Sequence, residues 1–146
     1  MVNQTLHSRC YEAAMRLLVR REHSVLELKQ KLFHKIAELD EQTFDRVVEQ
    51  LIDQNFQSDE RFASEFIQMR FNQGKGPKKI AMELKQRGVE NFDLSVFDFF
   101  ALAKQVKETK FGKTPPKDYK EKAKQQRFMQ SRGFDFEQIN QVFNHE

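Results

Sequence analysis

The stretch Gly74-Lys75-Gly76-Pro77-Lys78-Lys79-Ile80-Ala81-Met82-Glu83-Leu84-Lys85-Gln86-Arg87-Gly88-Val89 constrains this chain more than any other. Pro77 suits the first position of a helix, where its missing N–H leaves no bond unmade. Gly88 suits the stop, because glycine takes the left-handed conformation at little cost. Between them lies a short basic helix. The pattern recurs on either side, as Leu32-Phe33-His34-Lys35-Ile36 before it and Met129-Gln130-Ser131-Arg132-Gly133 after it. The anchors Ile36, Gly88 and Gly133 are 52 and 45 residues apart. A helical unit repeated at such a period reads as a tandem array with an extended binding surface rather than a buried active site.

Apolar periodicity fills in the array. Ala13, Ala14, Leu17 and Leu18 form one stripe over a helix from Tyr11 to Arg21. Ser24 and Glu27 form an S-x-x-E capping box, and Leu28, Leu32 and Ile36 give the helix that follows an apolar edge. Phe44, Val47, Val48, Leu51 and Ile52 mark a third helix. The cycle then repeats. Ser58 or Asp59 caps a helix with Phe62, Ala63, Phe66 and Met69 inward, Pro77 to Arg87 is the second, and Asp93 to Phe99 a short third. A last cycle has Phe100 to Lys110 around Ala101, Ala103 and Val106, a loop at Pro115-Pro116 that a helix cannot cross, and Asp118 to Ser131. It ends with Asp135 to Asn144, where Phe136, Ile139 and Phe143 face inward. The expectation is an all-α chain of about nine helices, arranged as three tandem three-helix repeats over residues 1–56, 57–99 and 100–146, with an elongated outline.

Composition agrees. Apolar residues are 38% and charged residues 32% of the 146, which favours much surface for the core. A single cysteine, Cys10, fits a reducing compartment. The start of the chain has no signal-peptide pattern. The most apolar run, Leu94 to Ala103, carries Ser95 and Asp98 and is too short for a bilayer. A cytoplasmic protein is expected.

Charge follows the repeat. Residues 70–88 hold six basic residues and one acid, and residues 103–133 hold ten and three. Residues 38–65 hold two basic residues and nine acids. On a helical wheel Lys78, Lys79 and Lys85 lie away from Ile80, Ala81 and Leu84, and Lys120, Lys124 and Arg127 form a row of their own. Such rows are either solvated faces or tracks for a polyanion or an acidic protein groove. The acidic row Asp45, Glu49, Asp53 either solvates the chain, pairs with its own basic rows, or meets a basic partner. Most of the fifteen Phe residues sit at inward positions and read as core. Tyr119 is the aromatic to test for stacking.

No catalytic constellation is present in the sequence. His7, His23, His34 and His145 make no metal motif, Gly74-x-Gly76 is too short for a dinucleotide fingerprint, and Cys10 has no adjacent histidine. Neither a cofactor nor a metal is expected.

These residues together resemble the RecX family of bacterial regulatory proteins. The matching segments are Ala14-x-x-Leu17-Leu18 through Arg21-x-x-Ser24-x-x-Glu27-Leu28-x-x-x-Leu32, Ser58-Asp59-Glu60-Arg61-Phe62-Ala63, and Arg70 with Gly74-Lys75-Gly76-Pro77 through Glu83-Leu84-x-x-x-Gly88-Val89. Lys110-Phe111 and Arg132-Gly133-Phe134 complete them, so that the match covers roughly residues 11–143. The resemblance implies three tandem three-helix repeats and an inhibitory modulator of the RecA recombinase. Such a modulator would lie in the groove of the RecA–DNA filament and act in recombination, DNA repair and the SOS response, without catalysis. One departure is Ile36, where many members carry glycine.

Under that reading the contact residues are Lys75, Lys78, Lys79, Lys85 and Arg87 in the middle repeat, Lys120, Lys124, Arg127 and Arg132 in the third, and Arg20 and Arg21 in the first. Their role would be electrostatic, toward acidic recombinase surface or toward DNA within the filament. The expected partner is the RecA filament, met by a monomer, with no membrane and no small-molecule substrate. The alternative is a free helical DNA-binding module acting without RecA.

Overall fold

The structure, a computed structural model, describes residues 4–144. Among them stand eight helices and no strand: α1 (Leu6–Arg20), α2 (Val25–Lys35), α3 (Glu41–Asp53), α4 (Asp59–Asn72), α5 (Pro77–Gln86), α6 (Phe99–Phe111), α7 (Tyr119–Ser131) and α8 (Phe136–Asn144). His145, and Met1, Val2 and Asn3 of the start read for a signal-peptide pattern, lie outside the described residues. The chain divides into two compact units, Met1–Glu65 with Lys85–Phe92, and Phe66–Leu84 with Asp93–Glu146. The division therefore falls inside α4 and inside α5.

In the first unit α1 packs on α2 and α3. Cys10, Ala13 and Ala14 bury against Leu28 and Leu32 of α2 and Phe44, Val47 and Leu51 of α3. The small residues of α1 let the larger ones of its neighbours close in, and each fully buried Leu or Phe contributes about 1.5–3 kcal/mol. The helix starts are satisfied by side chains. Thr5 Oγ1 accepts from Ser8 N at 3.0 Å, and Asp40 Oδ1 from Thr43 N at 2.7 Å. At α2 the capping box is complete, with Ser24 Oγ accepting from Glu27 N and Glu27 Oε1 from Ser24 N. Ile36 resolves the family departure. It leaves α2 in an extended conformation (φ −112°, ψ 101°) and buries its side chain, so no left-handed glycine is needed there.

In the second unit α6 packs on α7 and α8, and α7 on α8. Phe99, Leu102, Ala103, Met129, Phe134, Ile139 and Phe143 are buried. Asp98 and Asp118 cap α6 and α7, and Asp135 with Gln138 forms a reciprocal cap on α8. Lys107 is buried, with Nζ donating to the Gly112 and Thr114 carbonyls at 3.0 and 3.2 Å, which ties down the loop after α6.

The structure corrects five local expectations. Residues 93–98 form no helix. Asp93 Oδ1 accepts from both Ser95 N and Ser95 Oγ, and Asp98 caps α6, so two aspartate-led turns only five residues apart leave no room for a helical turn between. Phe97 instead joins a ring cluster with Phe71 and Phe99, centroids 5.1 to 6.2 Å apart. Met69 is exposed and Ile67 takes the inward place on α4. Phe136 is 76% exposed because it occupies the first turn of α8, while Phe134, ahead of the cap, is buried at 2%. Ala101 and Ile52 also lie outward.

Candidate basic interface

The interface is built on a backbone contact between two glycines within the second unit. Gly76 N donates to the Arg132 carbonyl at 2.7 Å, and Lys78 N to the Gly133 carbonyl at 2.9 Å. The start of α5 thus caps the end of α7, giving two orphan carbonyls their donors. The approach excludes side chains. A Cβ on Gly76 would lie 2.3 Å from the Gly133 carbonyl carbon, and one on Gly133 2.4 Å from Lys79 Cβ. Gly133 also has φ +98°, a region L side chains rarely adopt.

This contact gathers charge. Lys75 and Lys79 flank the glycine and Arg132 stands on the other side of it. Burial first, and then the positive charge of Arg132, Lys79 and Arg70, holds the Lys75 ammonium below the usual lysine value, with Glu83 acting in the opposite sense. Among the described residues no carboxylate lies within ion-pairing distance of Lys75, Lys79 or Arg132. Arg70, which charge counting did not single out, is different. Its Nη2 pairs with Glu83 Oε2 at 2.7 Å, its Nη1 donates to Gln73 at 2.8 Å, and its guanidinium covers the Phe66 ring.

Arg132 also lies 5.1 Å from the centroid of Phe128, and Lys110 5.4 Å from the same ring. Phe111 packs edge-on against it. Neither Lys110 nor Phe128 is legible as a site residue from charge rows, since α6 and α7 bring them together from different helices. On α7, Lys120, Lys124 and Arg127 are exposed, with no carboxylate in ion-pairing reach among the described residues. Lys78 is exposed at the start of α5.

The remaining expected contacts fall in the first unit. Arg21 is not free: both its terminal nitrogens hold Glu27, at 3.0 and 3.1 Å, and Arg87 Nε lies 3.8 Å from the same carboxylate. Burial pulls the Glu27 carboxyl upward, but hydrogen bonds from Arg21 and Ser24 outweigh it and leave it below the usual value. Ser24 Oγ donates to the Arg87 carbonyl at 2.8 Å. Arg20 and Lys85 are exposed. Asp45, Glu49 and Asp53 are exposed and make no ion pair among the described residues.

Cys10 and His23 are buried in packing, and His34 and Tyr119 are solvated. Cys10 is fully buried and its thiol is pushed up to about 11 by burial. His23 is buried, with Nδ1 at 3.0 Å from the Arg21 carbonyl and Nε2 at 2.9 Å from Lys31 Nζ. His34 is exposed. Tyr119 is 90% exposed and free to stack. No described helix is long and apolar enough to cross a membrane.

Comparison with known proteins gives a consistent answer. Family models described as the first, second and third three-helix domains of RecX match residues 10–51, 58–93 and 98–143. A "Regulatory protein RecX" of Halorhodospira halophila is 39% identical over 134 residues, covering 88% of this chain and 82% of that protein. One from Yersinia enterocolitica is 33% identical over 156 residues, covering 90% and 93%. The crystal structure of RecX from Lactobacillus salivarius matches the fold with a TM-score of 0.80, at 18% identity and 95% coverage of both chains.

Proposed function

This chain belongs to the RecX family of regulatory proteins, and on that premise we propose that it binds the RecA–DNA filament and restrains the recombinase's ATP-driven activity in recombination and DNA repair. The observation that carries this reading is the cluster of Lys75, Lys79 and Arg132, brought to one place with no carboxylate in ion-pairing reach among the described residues. Cations left unpaired at a surface attract an anionic partner and steer its approach. A filament offers phosphate and acidic protein groups at a regular repeat. A monomer with several basic surfaces, Lys120, Lys124 and Arg127 being another, would engage more than one of them, and linked contacts raise affinity beyond any single one. In this reading the protein works in the cytoplasm by occupancy alone, with no catalytic residue and no cofactor. Its three repeats divide as residues 1–56, 57–99 and 100–146.

The test is a side-by-side titration of labelled protein with recombinase filament, free recombinase and bare DNA at one salt concentration, with filament ATPase as the functional readout. The filament should bind tightest and its ATPase should fall. Equal affinity for subunit and filament would remove the multivalent part. Tight binding to naked duplex with no gain from the recombinase would replace the reading with a free DNA-binding module.

A further inference from the structure

A cleft of about 560 Å3 opens in the second unit. Phe71, Leu102 and Val106 supply its apolar surface, and Lys110, Phe128 and Arg132 stand along it. Among the described residues no aspartate or glutamate lines it. An apolar cleft bordered by cations fits an occupant that is anionic and carries an apolar group. A nucleobase over phosphates and an aliphatic side chain among carboxylates both meet that description, and the rings decide between them. Base binding needs an aromatic face to stack on. Phe128 is already engaged by Lys110, Arg132 and the edge of Phe111, and Phe71 is packed against Phe97 and Phe99. What remains for an occupant is the aliphatic side chain of half-buried Val106, with buried Leu102 beneath it as the floor of the cleft.

We propose that this cleft receives an acidic segment of the protein partner, with one aliphatic side chain seated against Val106 over the buried Leu102 and flanking carboxylates on Lys110 and Arg132. The identity of the partner rests on the function proposed above; the peptide chemistry does not. The proposal makes the cleft a protein-contact site, leaving any DNA contact to the exposed rows elsewhere. It also gives Arg132 two tasks, since its carbonyl anchors Gly76 while its guanidinium borders the cleft.

The probes are a fluorescent oligoglutamate peptide with one central leucine, the same peptide with serine in its place, and an oligothymidylate of equal charge. Binding is read by anisotropy on the full chain and on two variants. Gln105→Glu adds a carboxylate at an exposed lining position without touching the packing. Val106→Asp places one on the apolar surface itself, and circular dichroism melting checks that it folds. The leucine peptide should bind about tenfold or more tighter than the serine peptide, the worth of one seated leucine. Gln105→Glu should weaken it by about threefold or more, through like-charge repulsion alone. Inhibition of the filament should fall in step. Equal binding of the two peptides would overturn the proposal, as would oligothymidylate binding that is sensitive to Gln105→Glu while the peptides are indifferent to it. Unchanged filament inhibition by a folded Val106→Asp variant that has lost the peptide would also overturn it. If the parent binds the leucine peptide as expected but ignores the filament, the function proposed above fails and the peptide site stands.

Discussion

The first unit holds eleven basic and thirteen acidic residues, the second fourteen and nine. The difference in use is larger than the difference in number. In the first unit five of the eleven cations sit beside a carboxylate, in Arg9–Glu38, Arg21–Glu27, Lys29–Glu41, Arg61–Glu22 and the approach of Arg87 to Glu27. In the second Arg70 pairs with Glu83, while Lys75, Lys79, Arg132, Lys120, Lys124 and Arg127 have no carboxylate in reach among the described residues. A basic residue beside its own carboxylate contributes to local order. The same residue without one contributes potential at the surface. The row of lysines along a helix does not separate these cases; the acids that the fold brings alongside do.

The largest effect should come from breaking the glycine contact that assembles the second unit's cations. Gly133→Ala forces a side chain into a left-handed residue and against Lys79. Strain and overlap together should cost about 2–4 kcal/mol in urea unfolding. A loss below about 0.5 kcal/mol, within the range of ordinary surface changes, would show that the two motifs yield without resistance and do not anchor the cluster. Next comes the first unit's own hub. Glu27→Ala removes half of a capping box and leaves Arg21 and Arg87 without their shared carboxylate. It should cost about 1–3 kcal/mol of stability. At a temperature where the variant stays folded, filament inhibition should be unchanged; a selective loss of inhibition would place Arg21 or Arg87 in the interface and erase the contrast between the units.

The complementary change is Lys75→Glu with Lys79→Glu. Both lysines are half-buried, and removing positive charge beside Arg132 and Arg70 offsets part of the cost, so stability should shift by about 1 kcal/mol or less. Affinity for the filament should nevertheless fall about tenfold or more, which is about 1.4 kcal/mol. The residual binding should depend less steeply on salt if phosphates are contacted. Normal inhibition by the folded double variant would send the search to the α7 row, with Lys120, Lys124 and Arg127 reversed together.

Local structure was legible where neighbours in sequence are neighbours in space. The Ser24–Glu27 box, the Pro77 start and the apolar stripe of α3 all act within a turn or two, so their spacing carries the information. The site was legible only in parts. Lys75, Lys79 and Arg132 are readable as basic residues, and Gly76 and Gly133 as backbone-permissive ones. That the two glycines meet is a tertiary fact, because a glycine's pattern reports what its backbone can do and not what approaches it. The pairing of Arg21 escapes the sequence pattern for the same reason: its carboxylate sits six residues on, off the i, i+4 row that helical wheels inspect. The exposed Phe136 reflects a different limit. Periodicity alone cannot say that a first-turn residue has run past the edge of its neighbour, and the buried place went to Phe134 on the other side of the cap.

The smallest expected effect is a pH slope confined to the first unit. His23 is buried, and its partners define its tautomer: Nδ1–H donates to the Arg21 carbonyl, which leaves Nε2 to accept from the Lys31 ammonium. A second proton would have to sit on Nε2, facing that ammonium. Burial is the main force holding the His23 pKa below 6.5; the positive charges of Arg21 and Lys31 add to it, while the Arg21 carbonyl and Glu27 oppose it. A base depressed in the folded state favours the folded chain fully above its unfolded value and loses that contribution as pH falls through the folded one. The urea midpoint should therefore be level above pH 6.5 and decline below it. Glu27, depressed below 4.5, adds its own loss only at more acid pH. His23→Gln keeps a donor for the Arg21 carbonyl and an acceptor for Lys31 but cannot titrate, so its midpoint should stay flat across the window in which the parent declines. Parallel curves for the two proteins would assign the slope to other groups. Filament affinity, if set by the unpaired cations of the second unit, should show no matching difference between parent and variant.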